Sequence, residues 1–299
     1  MGYQSTKSYL STMGYQSTSA QLSGLLLFCI LSFSCASSVK TSSLQQGQEV
    51  VFFDDFSGPL LDTTKWNVRV TGGTVNNEQQ AYVDSSNTVF IENGALVLHP
   101  RYSPGFITKQ GKKFDFISGR IDSRGKMEFN YGTAEARIRL TEGAGLWPAW
   151  WALGAGRWPE TGEIDIMEYV GEKDWASAAV HGPGYSGETP FVDRFYFPEK
   201  ADVTNWHTYA VDWTPDSLVF KYDGKPMFRV TKPMVEHYGK WAFDNSKFVI
   251  LNFALGGAFP AKVNGVKQPY YGLPASTVDL IKNNNSKMIV DWVRITKRK

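Results

Sequence analysis

The sequence predicts an all-β fold of antiparallel strands, a two-sheet sandwich or a barrel, on three observations. Apolar and polar residues alternate with a period of two over most of the chain after residue 48. Turn pairs of the Asn-Gly and Asp-Gly type join the alternating runs, with turn signals about every ten residues. Nothing reads as a long helix. The 299 residues are 42% hydrophobic, 14% aromatic and 20% charged, which is globular rather than disordered composition. Thirty-one Lys and Arg against 29 Asp and Glu leave a net charge of +2, so no basic field points to nucleic acid or an anionic membrane. Ten Trp, 14 Tyr and 19 Phe are many for one domain, and suit either a thick core or a groove that binds rings.

Residues 1–36 differ from the rest. They carry one charge, Lys7, and an apolar run from Leu22 to Phe33, the length of a signal-peptide core and too short to span a bilayer. Ser34 and Ala36 offer small residues for cleavage before Ser37. A second reading is lipid attachment at Cys35, since Leu31–Cys35 is a degraded lipoprotein box. The expected location is therefore extracellular, or the cell surface as a lipoprotein. Met1–Thr6 recurs at Met13–Thr18, a repeat far too short for a solenoid unit and read as a duplicated leader or second start. Both cysteines, Cys29 and Cys35, lie in this leader, so the domain has no disulfide framework, thiol nucleophile or thiolate metal site. Residues 37–48 read as a polar tether, and 49–299 as one domain; about 250 residues bury a core without staples.

Within the domain, Val89–Glu92 and Ala95–His99 flank Asn93-Gly94 as a hairpin. Thr133–Leu140 alternates Ala134, Ala136, Ile138 and Leu140 with Glu135, Arg137 and Arg139, a strand with one wet face. His207–Trp213 behaves similarly. Ser217–Tyr222 and Lys225–Val230 meet through Asp223-Gly224. Phe248–Leu255 and Met288–Thr296 are further strands, and Pro233–Trp241 has room for a short helix.

The chemistry concentrates in Trp158–Tyr169. Glu163, Asp165 and Glu168 fall within six residues of an otherwise apolar strand. On a regular strand Glu163 and Asp165 share a face and Glu168 points away. One extra residue near Met167, a β-bulge, turns Glu168 back beside them. Like charges so close cannot all ionise, so at least one carboxyl has a raised pKa. Glycoside hydrolysis needs this set: one carboxylate attacks the anomeric carbon while a protonated one donates to the leaving oxygen, ~5–5.5 Å apart in a retaining mechanism. Clustered acids also make solvated faces and calcium sites, but Ile164, Ile166 and Met167 interleave here and Trp flank both ends.

The run Glu163-Ile-Asp-Ile-Met-Glu168, preceded by Leu146–Leu153 and Glu160–Gly162, resembles glycoside hydrolase family 16 in its laminarinase branch, from about Phe52 to Ile295. The resemblance implies a two-sheet jelly roll with a substrate groove across the concave sheet. It implies Glu163 as nucleophile, Glu168 as general acid/base, and Asp165 as the carboxylate that hydrogen-bonds the nucleophile. The extra Met167 is similar to the six-residue laminarinase form and argues against lichenase and transglycosylase readings. The implied activity is endo-cleavage of internal β-1,3 bonds of a β-glucan polysaccharide, extending to adjacent β-1,4 bonds, by a monomer with no catalytic cofactor. The alternatives are a galactan such as agar or carrageenan as substrate, or a glucan-binding protein without catalysis. Both glutamates are present, against the last.

The resemblance makes Trp151 and Trp158 stacking platforms, with Trp150 in the core. Parity puts Trp147 on the face of Trp151 unless Pro148 disturbs it. His181 matches a histidine near the acid/base, while His99, His207 and His237 read as structural. Asn77, Glu78 and Gln79 resemble a loop that bonds sugar hydroxyls at the non-reducing side. Arg120 matches a groove arginine, with Arg124 as fallback, and Asn252 either reaches the groove or braces it. Asp55, the Gly94 carbonyl and Asp291 match a structural calcium site on the convex side of relatives, with the hard oxygen donors calcium prefers.

Overall fold

Period-two alternation becomes burial. In the strand Gly132–Arg139, Ala134, Ala136 and Ile138 are fully buried while Glu135 and Arg137 lie half-buried on the opposite face. The computed structural model describes residues 47–299 apart from 72, 74, 199 and 200. The leader, the Cys35 lipid site and the tether up to residue 46 lie outside the described residues.

The chain opens with strands β1 (Gln48–Asp54), β2 (Asn67–Val68), β3 (Gln80–Tyr82), β4 (Val89–Glu92) and β5 (Ala95–Leu98). Next come β6 (Arg101–Ile107), β7 (Lys113–Ser118), β8 (Arg120–Asp122), β9 (Gly132–Arg139) and β10 (Leu146–Gly154). Then follow β11 (Glu163–Glu168), β12 (Trp175–His181), β13 (Phe191–Tyr196), β14 (His207–Thr214), β15 (Ser217–Tyr222) and β16 (Lys225–Thr231). Helix α1 (Lys232–Glu236), β17 (Lys247–Leu255), helices α2 (Ala258–Asn264) and α3 (Ala275–Lys282), and β18 (Met288–Arg298) complete the order. No helix among the described residues is long and apolar enough to cross a membrane.

Two large antiparallel sheets face each other. One runs β16-β15-β14-β9-β18-β5-β4, with β1 also on β18; the other runs β13-β12-β11-β10-β17-β8-β2. A third, small sheet β3-β7-β6 contains the parallel pair β3–β7. Strand β18 is the seam of the first sheet. Along one edge it pairs with β5 (Val290 opposite Leu96) and then with β1 (Val293 opposite Asp54, Arg298 opposite Gln48), while its other edge takes β9.

The two expected hairpins form. Asn93 and Gly94 have φ of 54° and 69°, and Asp223 and Gly224 of 50° and 74°, the left-handed pair a two-residue hairpin turn requires. His207 has a structural role: its Nδ1 sits 2.7 Å from Asp223 Oδ2 and its Nε2 2.9 Å from the Asp202 carbonyl, fastening that second turn. Helix α1 falls where a short helix was expected, with Pro233 in its first turn, where a missing N–H costs nothing. Helices α2 and α3 were not legible from the period. At seven and eight residues they are two turns each, and α2 is delimited by Gly257 and the left-handed Gly265 rather than by an apolar stripe.

The core lies between the sheets. Trp150 on β10 and Trp213 on β14 are buried in it with Ile164, Ile166 and Met167 of β11 and with Tyr209, Phe220 and Tyr222 of the opposite sheet. Trp213 donates its indole N–H to the Phe243 carbonyl at 2.9 Å. Tyr209 and Tyr222 meet edge to face at 4.7 Å. A smaller cluster of Trp147, Val170, Trp175 and Ala254 packs separately, against Phe259 and Val263. Trp150 is fully buried. Trp150→Ala is expected to lower unfolding free energy by about 3–5 kcal/mol in urea denaturation, since it removes apolar contact and leaves a cavity.

Candidate active site

Strand β11 carries one residue too many. Opposite β10, Trp150 faces Met167 and the next pair is Trp151 with Asp165, so Ile166 is unmatched. Opposite β12, Asp165 faces Ala179 and Glu168 faces Ser177, so two residues oppose the single Ala178. This is a bulge at Ile166–Met167, where the six-residue spacing requires it. Both residues turn fully into the core. Glu168 therefore comes round to the face held by Glu163 and Asp165.

The bulge is braced from the opposite sheet. The Tyr222 hydroxyl lies 3.1 Å from the Ile166 carbonyl and 2.7 Å from the Ser177 carbonyl, a donor shared between β11 and β12. No pattern in the sequence points to this tyrosine, since it belongs to a strand of the other layer.

Burial governs the electrostatics of the three acids. Asp165 is 4% exposed, and burial, the charges of Glu163 and Glu168, and its own hydrogen bond to Glu163 all push its pKa well above the usual range. Burial also raises Glu163 to about 7, opposed by hydrogen bonds from Trp158 and Asp165 and by the Arg120 charge. Burial raises Glu168 to about 7, opposed by the Trp147 indole, which donates to Oε1 at 3.0 Å, and reinforced by the Glu163 charge. The proton inventory at neutral pH follows. Asp165, held well above the usual range, keeps a proton, while Glu163 and Glu168, both raised to about 7, titrate together as a coupled set. His181 pairs across from Glu163 with Nε2 3.4 Å from Asp165 Oδ2, and burial lowers its pKa to about 4, so its ring is neutral. Among the described residues, Glu163, Asp165 and His181 form a group whose donor atoms lie within 4.8 Å of one another. With Asp165 protonated towards Glu163, that group is a proton-sharing set.

The aromatic residues fall into two kinds. Trp158, 45% exposed, lies with its ring 6.2 Å from that of His181 and its indole on Glu163. Trp151 is half-buried, and the Arg120 guanidinium sits 5.0 Å from its ring. These two are open to a ring. Trp147 is not. Pro148 leaves the β10 register intact, so Trp147 does share the face of Trp151, but it is 9% exposed and packed edge-on against Phe259. Its indole N–H is engaged by Glu168.

Asn252 braces rather than reaches the groove. It accepts from Trp151 Nε1 at 2.6 Å and donates to the Tyr82 hydroxyl at 2.9 Å, which engages both of its polar atoms in fixing Trp151. Arg120 stands over Trp151 and 6.0 Å from the Tyr82 ring, with a buried Nε that has no hydrogen-bond partner among the described residues. Arg124, the fallback, lies over Phe248 and donates to the Ala155 carbonyl, outside this group. Of the polar loop, Asn77 is exposed on the rim with φ of 55°, beside Lys112 and Lys113. Glu78 turns inward: burial raises its pKa, and Gln80, Arg120 and Tyr82 surround its carboxylate. Tyr82 escaped sequence reading because β3 is three residues long, too short to show a period.

Of the three expected calcium positions, Asp291 is on β18, Asp55 directly follows β1 and Gly94 is in the β4–β5 turn. Asp54 pairs with Val293 and Leu96 with Val290, so β1 and β5 lie along the same edge of β18 on either side of Asp291. The donors are oxygens only, which fits calcium. Asp291 also pairs with Arg137 at 2.7 Å, and Asp55 accepts from Ser57.

Two tyrosines test the bulge. Tyr222→Phe removes the donor shared by two buried carbonyls and is expected to cost about 1–3 kcal/mol in urea denaturation. Tyr209→Phe removes a buried hydroxyl that has no partner among the described residues and is expected to leave stability unchanged or raised.

Comparison with known proteins adds the following. Residues 64–267 match the family described as glycosyl hydrolases family 16. The chain is 30% identical over 279 residues to glucan endo-1,3-beta-glucosidase A1 of Niallia circulans, covering 84% of this chain but 38% of that relative's length. It is 33% identical over 266 residues to a beta-glucanase of Rhodothermus marinus, covering 83% of this chain and 84% of the relative. Among solved structures it is similar to the endo-beta-1,3-glucanase of Pyrococcus furiosus, with a TM-score of 0.73 and 32% identity over 84% of this chain and 94% of that one.

Proposed function

The chain belongs to glycosyl hydrolase family 16, and from that membership we propose that it is an endo-acting β-glucanase cleaving internal β-1,3 linkages, and β-1,4 linkages adjacent to them, with retention. The observation that carries the proposal is the bulge that gathers three carboxyls, all with raised pKa, on one face. Glu163, kept ionised by Trp158, Asp165 and Arg120, attacks the anomeric carbon. Glu168, protonated at rest, gives its proton to the departing oxygen. It then takes a proton from the water that releases the sugar from Glu163. Asp165 supplies a neutral donor that steadies the Glu163 charge as it is used and restored. Trp151 and Trp158 offer flat faces to the C–H side of sugar rings, and Arg120, Glu78 and Asn77 offer hydroxyl partners. All these groups come from one chain, so the reading calls for neither a second subunit nor a catalytic cofactor.

The rest of the reading concerns setting. Calcium held by Asp55, the Gly94 carbonyl and Asp291 would tie β1 and the β4–β5 turn to β18, a structural role away from the carboxyls. The apolar run Leu22–Phe33 with small residues before Ser37 supports export, as a secreted protein or one anchored through Cys35.

Glu163→Gln is expected to abolish turnover of laminarin while glucan binding, read by affinity electrophoresis, persists. Laminarin, mixed-linkage glucan and agarose incubated in parallel decide the substrate: galactan fragments alone would keep the mechanism and change the sugar. Silence on all three with retained glucan binding would make the protein a binding module. Proton NMR of the first products should show the β anomer.

The pH profile of kcat/KM should be bell-shaped. Falling pH protonates Glu163 and removes the nucleophile, whereas rising pH strips Glu168 and removes the acid. With burial raising both to about 7, both limbs lie near neutrality and report apparent values of the coupled set. Glu168→Gln should remove the alkaline limb for a substrate whose leaving group needs no proton.

A further inference from the structure

Lys247, the first residue of β17, is fully buried, one of the largest side chains to be so. Among the described residues, no carboxylate hydrogen-bonds to it. Its ammonium instead donates to three neutral oxygens: the Thr161 carbonyl at 2.7 Å, the Ala242 carbonyl at 3.2 Å and Asn245 Oδ1 at 3.1 Å. The rings of Trp213 and Phe243 cover it at 5.5 and 5.6 Å. An ammonium withdrawn from water is costly to keep. Three acceptors converging on it in that setting form a built knot, and the reaction outlined above makes no use of it.

The knot holds the segment that enters the catalytic strand. Thr161 lies two residues before Glu163 and three after Trp158. Its N–H bonds the Arg157 carbonyl, the Gly162 N–H bonds the Pro159 carbonyl, and its hydroxyl accepts from the Gly156 N–H, so residues 156–162 make one compact loop. Gly162 has φ of 68°, and a Cβ there would meet the Ala242 carbonyl at 2.2 Å, so the loop passes flush against the second acceptor of Lys247. Asn245 donates to the same Ala242 carbonyl at 3.1 Å. The other end of the loop presents Trp158, whose indole bonds the Glu163 carboxylate.

We propose that Lys247 is a positioning residue for the nucleophile: by gathering the Thr161, Ala242 and Asn245 oxygens it fixes the loop that sets the Trp158 indole on Glu163. The proposal rests on Glu163 being that nucleophile. Lys247 acts through the loop and touches no substrate. Burial lowers its pKa to about 7, and the Asp244 charge opposes that shift. Glu163 itself faces Trp158, Asp165, Arg120, His181 and Glu168, of which Lys247 bears on Trp158 alone.

The test is a double-mutant cycle on the pH profile. Lys247→Met is expected to lower kcat roughly ten- to a hundredfold with KM changed less, and to move the acid limb of kcat/KM to higher pH, because Glu163 loses the donor that favours its charged form. Trp158→Phe should move the same limb in the same direction. The double variant should shift the limb no further than Trp158→Phe alone, since one path is being cut twice. An unmoved limb in folded Lys247→Met, or additive shifts, would overturn the proposal and leave Lys247 with a stabilising role only. If Lys247→Met does not fold, Asn245→Ala, which removes one acceptor of the knot, enters the same cycle with the same expectations. The control for the underlying reading is Glu163→Gln. Activity in that variant sinks the nucleophile assignment itself, whereas a silent Glu163→Gln with an unmoved limb sinks only the part given to Lys247.

Discussion

Three carboxyl groups on one face of a buried strand cannot all be charged, and the arrangement around them follows from that constraint. Burial alone would protonate the whole set. Its neighbours favour the charged form at one position above the others: the Trp158 indole, the Asp165 carboxyl and Arg120 all act on Glu163. Glu168 has a single indole donor, and burial together with the Glu163 charge favours its protonated form. Two glutamates five residues apart in sequence are thus biased towards opposite states by different partners.

Geometry and electrostatics are linked through the bulge. Without Ile166 unmatched against β10, Glu168 would point into the core and Met167 towards the groove. The bulge frees backbone groups that a regular ladder would pair, and the Tyr222 hydroxyl from the other sheet meets one of them. The layer that carries no catalytic group therefore sets the direction of one that does. Trp151 is a comparable case, held flat by Asn252, which is held in turn by Tyr82.

Much of this was legible in the sequence, and the reasons are specific. The hairpins at Asn93-Gly94 and Asp223-Gly224, and the wet-faced strand around Glu135 and Arg137, follow from local rules of turn chemistry and alternation. The bulge was legible because three acids at that spacing have no other way to share a face. What escaped was of two kinds. Short elements such as β3 and α2 carry no period, so Tyr82 had no signal. Braces that join distant segments, such as Tyr222 to Ile166 and Lys247 to Thr161, depend on the packing of one layer on another, which no local pattern encodes. Trp147 stands between these cases: its face was readable from parity, but its burial under Phe259 depends on α2, which was not.

The place of β18 bears on how the domain comes into being. This strand, residues 288–298, carries β5 and β1 on one edge and β9 on the other, so early segments of the chain meet only through a late one. During synthesis, β1, β5 and β9 leave the ribosome as three edges with no common neighbour, and the sheet closes only when the last of them to be translated arrives. Until then the exposed edges are templates for the wrong partner. A ribosome-bound chain halted before residue 288 thus lacks the keystone of this sheet, which cannot close until residues 288–298 have emerged.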